Sequence, residues 1–274
     1  MISMKDKIII GMVSYNPDVK KLIRYIDNLI DNFNIVIVDN CSNNFELLKN
    51  EIGNKIKLIP QDKNYGIAHA LNILMMYAKE KGVPWVLTLD QDTEISTDSI
   101  NKMFLHTKEE VGVICPVCRE RGGHRPIKTD GETEFVEECI TAGQLTSVEA
   151  WEAVGGYDER LFIDFVDFDF CWRLAEKDIK ILRVNEAKII QEVGQLKEIR
   201  FFNRFIYVRN HSPQRFYYIT RNRIYCLKKL KNKKKYKKEL IQLYSQTLKT
   251  LLFESDRIEK LHMLRKGIID AKKL

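Results

Sequence analysis

Glycine and proline are scarce in this chain, 13 and 6 of 274 residues, and no internal repeat is visible. Collagen-like and linker-like low-complexity architectures are thereby excluded. Also missing is any apolar run long enough to span a bilayer. The run Ile8 to Val13 is interrupted by Gly11 and falls far short of the ~20 residues a spanning helix needs. It is also too short and too poorly flanked for a secretory signal, so the expectation is a cytoplasmic protein. The six cysteines, at 41, 115, 118, 139, 171 and 226, are scattered, which argues against a disulfide framework. Cys115-Pro116-Val117-Cys118, with Cys139 and His124, offers a single paired spacing, and buried small residues are favoured there over zinc. What is present, 45% hydrophobic and 30% charged residues, is ordinary globular composition. A chain of this length can bury roughly 75% of its unfolded surface without staples.

The net charge of +7 hides an uneven distribution. Residues 200–274 carry 21 Lys and Arg against 5 Asp and Glu, a charge of +16, whereas residues 1–199 carry −9. Two parts facing different partners are expected.

Along the first 120 residues, strand and helix signals alternate. Ile8–Val13, Ile35–Val38, Ile56–Ile59, Trp85–Leu89 and Val111–Val117 read as short buried strands. Helical signals lie between them: from Asp18 through Ile30, Phe45–Glu51, Tyr65–Lys81 closed by Gly82, and Thr97–Glu109. This pattern predicts βαβ units and a mostly parallel sheet. Residues 119–138 break it and read as a lid-like loop. Ile140–Val148 reads as a strand, Glu149–Val154 as a short helix, and Phe162–Arg173 enters another helix. Two more strands are expected at Ile179–Val184 and Ala187–Ile190, and basic helix after about residue 214.

Polar residues cluster where the strands end: Ser14, Tyr15 and Asn16; Asp39 and Asn40; Asp90, Gln91 and Asp92. Open α/β sheets bind ligands at that edge. Asp90 and Asp92, one residue apart, can share a divalent cation and its phosphate ligands; equally, they can be an Asp-rich turn. Asp39 can accept a hydrogen bond from a base or ribose, or cap the next helix. In Asn64 to Asn72, Gly66 and Ala68 either let an anion approach a helix N-terminus or serve close helix–strand packing. Asp164, Asp167 and Asp169 stand among Phe162, Phe165, Phe168 and Phe170. A partly dry cleft would raise their pKa values and make one a base; alternatively, they are helix N-terminal acids.

In order, Val13-Ser14-Tyr15-Asn16, Ile37-Val38-Asp39-Asn40, Asn64-Tyr65-Gly66-Ile67-Ala68, Leu89-Asp90-Gln91-Asp92, Ala142-Gly143, Gly155-Gly156-Tyr157-Asp158-Glu159 and Phe162 through Arg173 resemble family 2 of the inverting glycosyltransferases. The finer resemblance is to bacterial rhamnosyltransferases, through Asp-Gln-Asp, Asp158 to Asp164, and His211 to Tyr218 followed by Arg221-Asn222. The resemblance implies a GT-A fold, here a mostly parallel Rossmann-like sheet with flanking helices plus a basic helical C-terminal region. It implies a catalytic domain over 1–199, with a nucleotide half to about 118 and an acceptor half from about 139, followed by 200–274.

It further implies that Tyr15 and Asp39 hold the base and ribose. Asp90 would contact ribose or metal, and Asp92 would bind Mg²⁺ or Mn²⁺ bridging the diphosphate. Ser14, Asn16, Asn64, Gly66, Ala68, Asn72 and Gln91 join the nucleotide-sugar side; Gly143, Asp164 and Trp172 join the acceptor side. Asp167 matches the general base, with Asp169 as alternative or support, because Val166 stands where the family has Glu. Gln191 stands where many relatives have a metal-binding His, and His211 is the candidate replacement. The implied activity is transfer of a sugar, foremost L-rhamnose from dTDP-rhamnose, to a glycan or lipid-linked acceptor in cell-surface polysaccharide synthesis.

Competing readings are a UDP-hexose or UDP-galactofuranose donor, and a nucleotidyltransferase, whose Gly-rich basic N-terminal loop is absent from Met12 to Pro17. A nucleotide-binding, membrane-associated protein without catalysis is the non-enzymatic alternative. Arg221 to Lys238 holds ten Lys or Arg and no acid, and Leu240 to Phe253 is amphipathic. The segment 221–252 is read as docking on an anionic membrane, which places the protein peripherally at the inner face of the cell membrane. No nucleic-acid motif accompanies it. The stripe from Leu240 to Leu252 can instead pack on the core or pair two subunits as a homodimer.

Overall fold

The computed structural model describes residues 4–107, 110–120, 129–191, 197–201, 204–208 and 210–274. The chain opens with alternating elements: β1 (Ile8–Ser14), α1 (Val19–Asp27), β2 (Asn34–Asp39), α2 (Phe45–Ile52), β3 (Lys57–Pro60), α3 (Ile67–Glu80) and β4 (Trp85–Asp90). β1 pairs in parallel with both β2 and β4, and β2 with β3. Both faces of β1 are covered, which is why it reads as a continuous apolar run. Gly11 lets α3 close onto it, since a Cβ there would stand 2.8 Å from Leu74 Cδ1. α1 starts where the Asp18 carboxylate accepts the Lys21 N–H, satisfying one of the helix's unpaired amides.

The sheet then changes character. β5 (Thr93–Ile95), α4 (Thr97–Phe104), β6 (Val113–Glu120), β7 (Thr133–Val136), β8 (Gln144–Ser147), α5 (Val148–Ala153), α6 (Val166–Ala175) and β9 (Ile181–Gln191) follow. The strand order is β3-β2-β1-β4-β8-β6-β9-β5, with β7 also on β9. β8 runs antiparallel between β4 and β6, and β5 and β7 run antiparallel to β9. The α/β class stands; the sheet is parallel over β3-β2-β1-β4 and again between β6 and β9, with antiparallel pairings around β8, β5 and β7.

Several local expectations are revised. β5 has three residues, too few for a hydrophobic pattern to register. β7 lies inside the expected loop, of which 121–128 falls outside the described residues, as do 108 and 109 of the expected α4. The two strands expected at 179–190 are one, β9, whose neighbour β6 shifts register between Pro116 and Val117. Strand Ile140–Val148 shrinks to β8.

The chain divides into two units: residues 1–162 with 166–192, and residues 163–165 with 193–274. The second holds the antiparallel hairpin β10 (Lys197–Phe201) and β11 (Arg204–Val208), then α7 (Pro213–Lys229), α8 (Lys233–Phe253) and α9 (Arg257–Asp270). The boundary expected at 199/200 falls inside β10. α7 begins at Ser212, whose hydroxyl accepts the Arg215 N–H, and Pro213 follows as a helix-compatible first residue. α9 packs on α7 at Gly267, where a Cβ would lie 2.9 Å from the Tyr217 carbonyl oxygen. Lys260, fully buried, is held by Glu254 Oε2 and Asn210 Oδ1, each at 2.9 Å.

Candidate active site

The parallel register sets Ser14 beside Asp39 and Val13 beside Asp90, so the ends of β1, β2 and β4 form one polar edge. Asp39 is 0% exposed. Its Oδ2 accepts the hydroxyls of Ser14 at 2.8 Å and Ser42 at 2.6 Å, and its Oδ1 accepts the Ser42 N–H at 2.8 Å. The carboxylate thus organises the turn after β2. Asn16, in the left-handed region at φ 47°, donates its N–H to Ser42 Oγ and accepts the Asn43 N–H, each at 2.8 Å. Asp39 and Asn16 brace one another's loops through Ser42.

Gln91 braces another pair. Its Oε1 accepts the Tyr15 N–H at 2.8 Å and its amide donates to the Tyr15 carbonyl at 3.3 Å. This two-way clasp ties the end of β1 to the end of β4 and leaves the Tyr15 ring exposed. Between Asp90 and Asp92, then, the middle residue shapes the loop.

Gly66 and Ala68 suggest room for a ligand, but the chain itself takes the room beside Gly66. A Cβ on Gly66, which sits at φ 91°, would lie 2.4 Å from the Phe162 carbonyl oxygen. That oxygen accepts the Ile67 N–H at 2.8 Å, so it occupies part of the helix N-terminus expected to meet an anion. Ala68 is buried. Asn64 Oδ1 accepts the Gly66 N–H at 2.9 Å and sets this turn.

Asn72 is likewise committed to the fold. Its amide donates to the Tyr157 carbonyl at 2.9 Å and to Glu159 Oε1 at 2.8 Å; its oxygen accepts from Tyr157 N at 2.8 Å and Trp151 Nε1 at 2.9 Å. All four hydrogen bonds of a carboxamide are used, which pins α3 to the 151–159 segment. Glu159 also meets His69 Nδ1 at 2.8 Å. Partial burial raises the Glu159 pKa, but hydrogen bonds from Asn72 and His69 outweigh it and hold the carboxyl below its ordinary value.

Asp90 accepts Gln191 Nε2 at 2.9 Å, an unexpected partner 101 residues away. The amide at 191 thus orients the first carboxylate of the Asp-Gln-Asp sequence. Asp90 and Asp92 are half-buried at the mouth of the edge. Among the described residues no three His, Cys, Asp or Glu side chains form a metal-binding group.

Asp167 and Asp169 both sit in the first turn of α6, where the helix dipole favours negative charge. Their surroundings differ. Asp169 is 2% exposed and accepts Arg173 Nε at 2.8 Å, while Arg173 Nη1 donates to the Val154 and Gly156 carbonyls. It is a buried structural ion pair. Asp167 is half-buried, and its Oδ1 accepts the Phe168 N–H at 2.9 Å. Trp172, expected on the acceptor side, is buried and donates its indole N–H to Glu138 Oε1 at 2.7 Å. Gly143, at φ 80°, is buried against Ile189 and Pro116, so its missing side chain serves packing.

In the second unit, Asp164 and Phe165 are consecutive left-handed residues, φ 64° and 67°. Such a pair is strained. Asn222, fully buried on α7, donates to both the Ile163 and Asp164 carbonyls, at 2.7 and 2.9 Å. Arg215 grips the Asp164 carboxylate at 3.1 and 3.3 Å, and the Arg223 guanidinium lies 4.9 Å over the Phe165 ring. This segment leads directly into Val166 and Asp167. His211, half-buried, just precedes the α7 cap.

None of the six cysteines is in a disulfide. Hydrogen bonding with Cys115 and burial raise the Cys139 thiol well above its ordinary pKa, and Cys139 and burial do the same for Cys171. Cys115 and Cys171 are buried, and Cys118 and Cys139 half-buried. His124 lies outside the described residues.

The family model for glycosyl transferase family 2 matches residues 9–171, the span that carries this whole polar edge and α6. The chain belongs to that family. It is a glycosyltransferase. The dTDP-rhamnosyl transferase RfbF of Shigella flexneri is 32% identical over 246 residues, covering 82% of this chain and 81% of that protein. Among solved structures, S. aureus TarS residues 1–349 in complex with UDP-GlcNAc superposes with a TM-score of 0.61 at 14% identity, covering 96% of this chain and 80% of TarS 1–349. A longer TarS structure gives 0.62 at the same 14% identity, covering 97% of this chain and 49% of that one. The family 2 chain therefore has the GT-A fold of TarS, and the edge formed by β1, β2 and β4 is where an α/β sheet of this kind takes its ligand.

Proposed function

We propose that this enzyme transfers L-rhamnose from dTDP-rhamnose to a hydroxyl of a lipid-linked glycan, with inversion, at the inner face of the cell membrane. The donor assignment is supported by the likeness to RfbF, which is named a dTDP-rhamnosyl transferase. The exposed Tyr15 ring flanks the base, and the edge around Ser14, Asn16 and Asp39 receives the ribose. Asp39 acts there through the loop it braces and whatever acceptor capacity its three hydrogen bonds leave.

One observation carries the base assignment. Of the two acids at the start of α6, Asp169 is 2% exposed beneath Arg173, whereas Asp167 is only half-buried and can be reached by an acceptor hydroxyl. Asp167 takes the acceptor hydroxyl's proton. The freed oxygen bonds to the anomeric carbon as the bond from that carbon to the diphosphate oxygen breaks, on the opposite face, and the electron pair leaves with the nucleotide. One displacement inverts the centre and needs no covalent enzyme intermediate.

Asp90 and Asp92 fit a hard divalent cation, Mg²⁺ or Mn²⁺. Such ions are bound through one or two carboxylates and complete their shell with water and substrate phosphates, which agrees with two acids one residue apart at the end of β4. When bound, the ion supplies positive charge beside the departing diphosphate. His211 is proposed as an added ligand only if metal affinity falls on its substitution.

The test is a donor panel. Purified enzyme is incubated with dTDP-, UDP- and GDP-sugars, Mg²⁺ or Mn²⁺ and acceptor lipid fractions, and nucleoside diphosphate release is measured. Release confined to dTDP-rhamnose is the expected result. Release from a UDP-hexose or UDP-galactofuranose would overturn the donor, and binding without release from any donor would overturn catalysis.

A further inference from the structure

α8 has an inner face and an outer face with different chemistry. Its buried or half-buried positions include Glu239, Leu243, Gln246 and Thr250. Glu239 Oε2 lies 3.3 Å from Arg223 Nε on α7, and Gln246 Oε1 accepts Arg223 Nη1 at 3.0 Å. Arg223 is buried too, so the inner face is committed to the second unit. On the outer face, Ile241 is 68% exposed, Tyr244 76%, Leu248 57% and Leu252 51%. At about 100° per residue these four fall within about 80° of arc, roughly opposite the inner-face residues. Large apolar residues aligned in this way need a partner.

The charge on the same helix says which partner. α8 carries Lys233, Lys234, Lys235, Lys237, Lys238 and Lys249 and one acid, Glu239, which is turned inward to Arg223. Lys234 and Lys237 project over the arc of the apolar stripe, one to two turns before Ile241. The outer face thus offers ammonium groups at one end, a tyrosine, and aliphatic side chains, with no carboxylate of its own. A second copy of this face would present the lysines with no opposite charge. An anionic bilayer presents them with phosphates and gives the aliphatic groups a place among the acyl chains.

α7, although equally basic in sequence, does not share this role. Asn222, Arg223, Tyr225, Cys226 and Leu227 are buried, Lys228 donates to the Ala271 carbonyl, and Lys229 covers the Tyr225 ring at 4.3 Å. Among the described residues no helix is long and apolar enough to cross a membrane.

We infer that the outer face of α8, from Lys233 to Leu252, is a docking surface for anionic phospholipid, with its lysines on the headgroups and Ile241, Tyr244, Leu248 and Leu252 inserted at the interface. This narrows and deepens the membrane placement proposed above. It is read separately from sugar transfer, so either can fail alone.

The experiment uses the full chain with vesicles of phosphatidylcholine alone or with about one-third phosphatidylglycerol. Wild type is expected to sediment with the anionic vesicles only, and to be released between about 0.1 and 0.5 M salt. K233Q/K234Q/K237Q/K238Q should weaken binding up to about a thousandfold, from the loss of four charges near the surface. I241S/Y244S/L248S should weaken it comparably, with residual binding more salt-sensitive. Both variants should keep the wild-type melting temperature and the same nucleoside diphosphate release with a soluble acceptor. Unchanged vesicle binding in both variants would overturn the inference. So would a wild-type dimer that the I241S/Y244S/L248S variant converts to monomer with no change in vesicle binding, because a second copy would then cover the face.

Discussion

Two sets of polar side chains in the first unit differ in how deeply the chain encloses them. Around β2 and α3, Asp39 and Asn72 spend their hydrogen bonds on the chain: Asp39 on Ser14 and Ser42, Asn72 on Trp151, Tyr157 and Glu159. At the end of β4 and the start of α6, Asp90, Asp92 and Asp167 are half-exposed. The residue types are alike in both regions. The difference lies in burial, and it teaches that one motif can supply both buried braces and side chains left open to a ligand. Asp169 and Asp167, two residues apart on one helical turn, show the contrast at its smallest scale.

Substitutions on the two sides should therefore fail differently. The largest effect is expected for D167N, with transfer falling about 10³-fold or more while titration with dTDP gives an unchanged Kd and the melting temperature holds. D92N should lower transfer about 10²-fold and flatten the dependence on added Mn²⁺, read by rate against metal concentration after chelation. On the bracing side, N72A should cost about 3 kcal/mol in denaturant unfolding, because it strands the Trp151 and Tyr157 N–H groups. Its surviving folded fraction should keep most of its turnover. G66A places a Cβ against the Phe162 carbonyl at a left-handed φ and should cost about 2 kcal/mol.

The smallest effect is pH-dependent. The Glu159 pKa is held below its ordinary value near 4.5, so its contribution is complete above that pH and is lost as pH falls through the lower, folded value. The side chain is half exposed, so the contribution amounts to about a few tenths of a kcal/mol. E159Q should remove that part of the acid limb of stability, measured by melting between about pH 3 and 6.

The same distinction explains how much was legible beforehand. β1 to β4 declare themselves because each is a local run of apolar residues, and Asp90, Asp92 and Asp167 fall at strand and helix ends that local pattern alone can locate. The mixed half of the sheet is set by pairings between distant segments, and β5, β7 and β10 mix charged with apolar residues and offer no apolar run. The braces escape for the same reason. Asn72 meets Tyr157 across 85 residues and Gln191 meets Asp90 across 101, distances over which spacing carries no signal. Gly66 looks like a ligand position until Phe162 is brought beside it. Composition likewise made 221–252 one basic segment, whereas packing buries much of α7 and leaves the outer face of α8 in solvent.

The most direct test of the account is the configuration of the product. Sugar transferred from dTDP-rhamnose by the wild-type enzyme should show, by proton and carbon NMR at the anomeric position, the configuration opposite to that of the donor. A product that retains the donor's configuration would contradict a single displacement driven by Asp167.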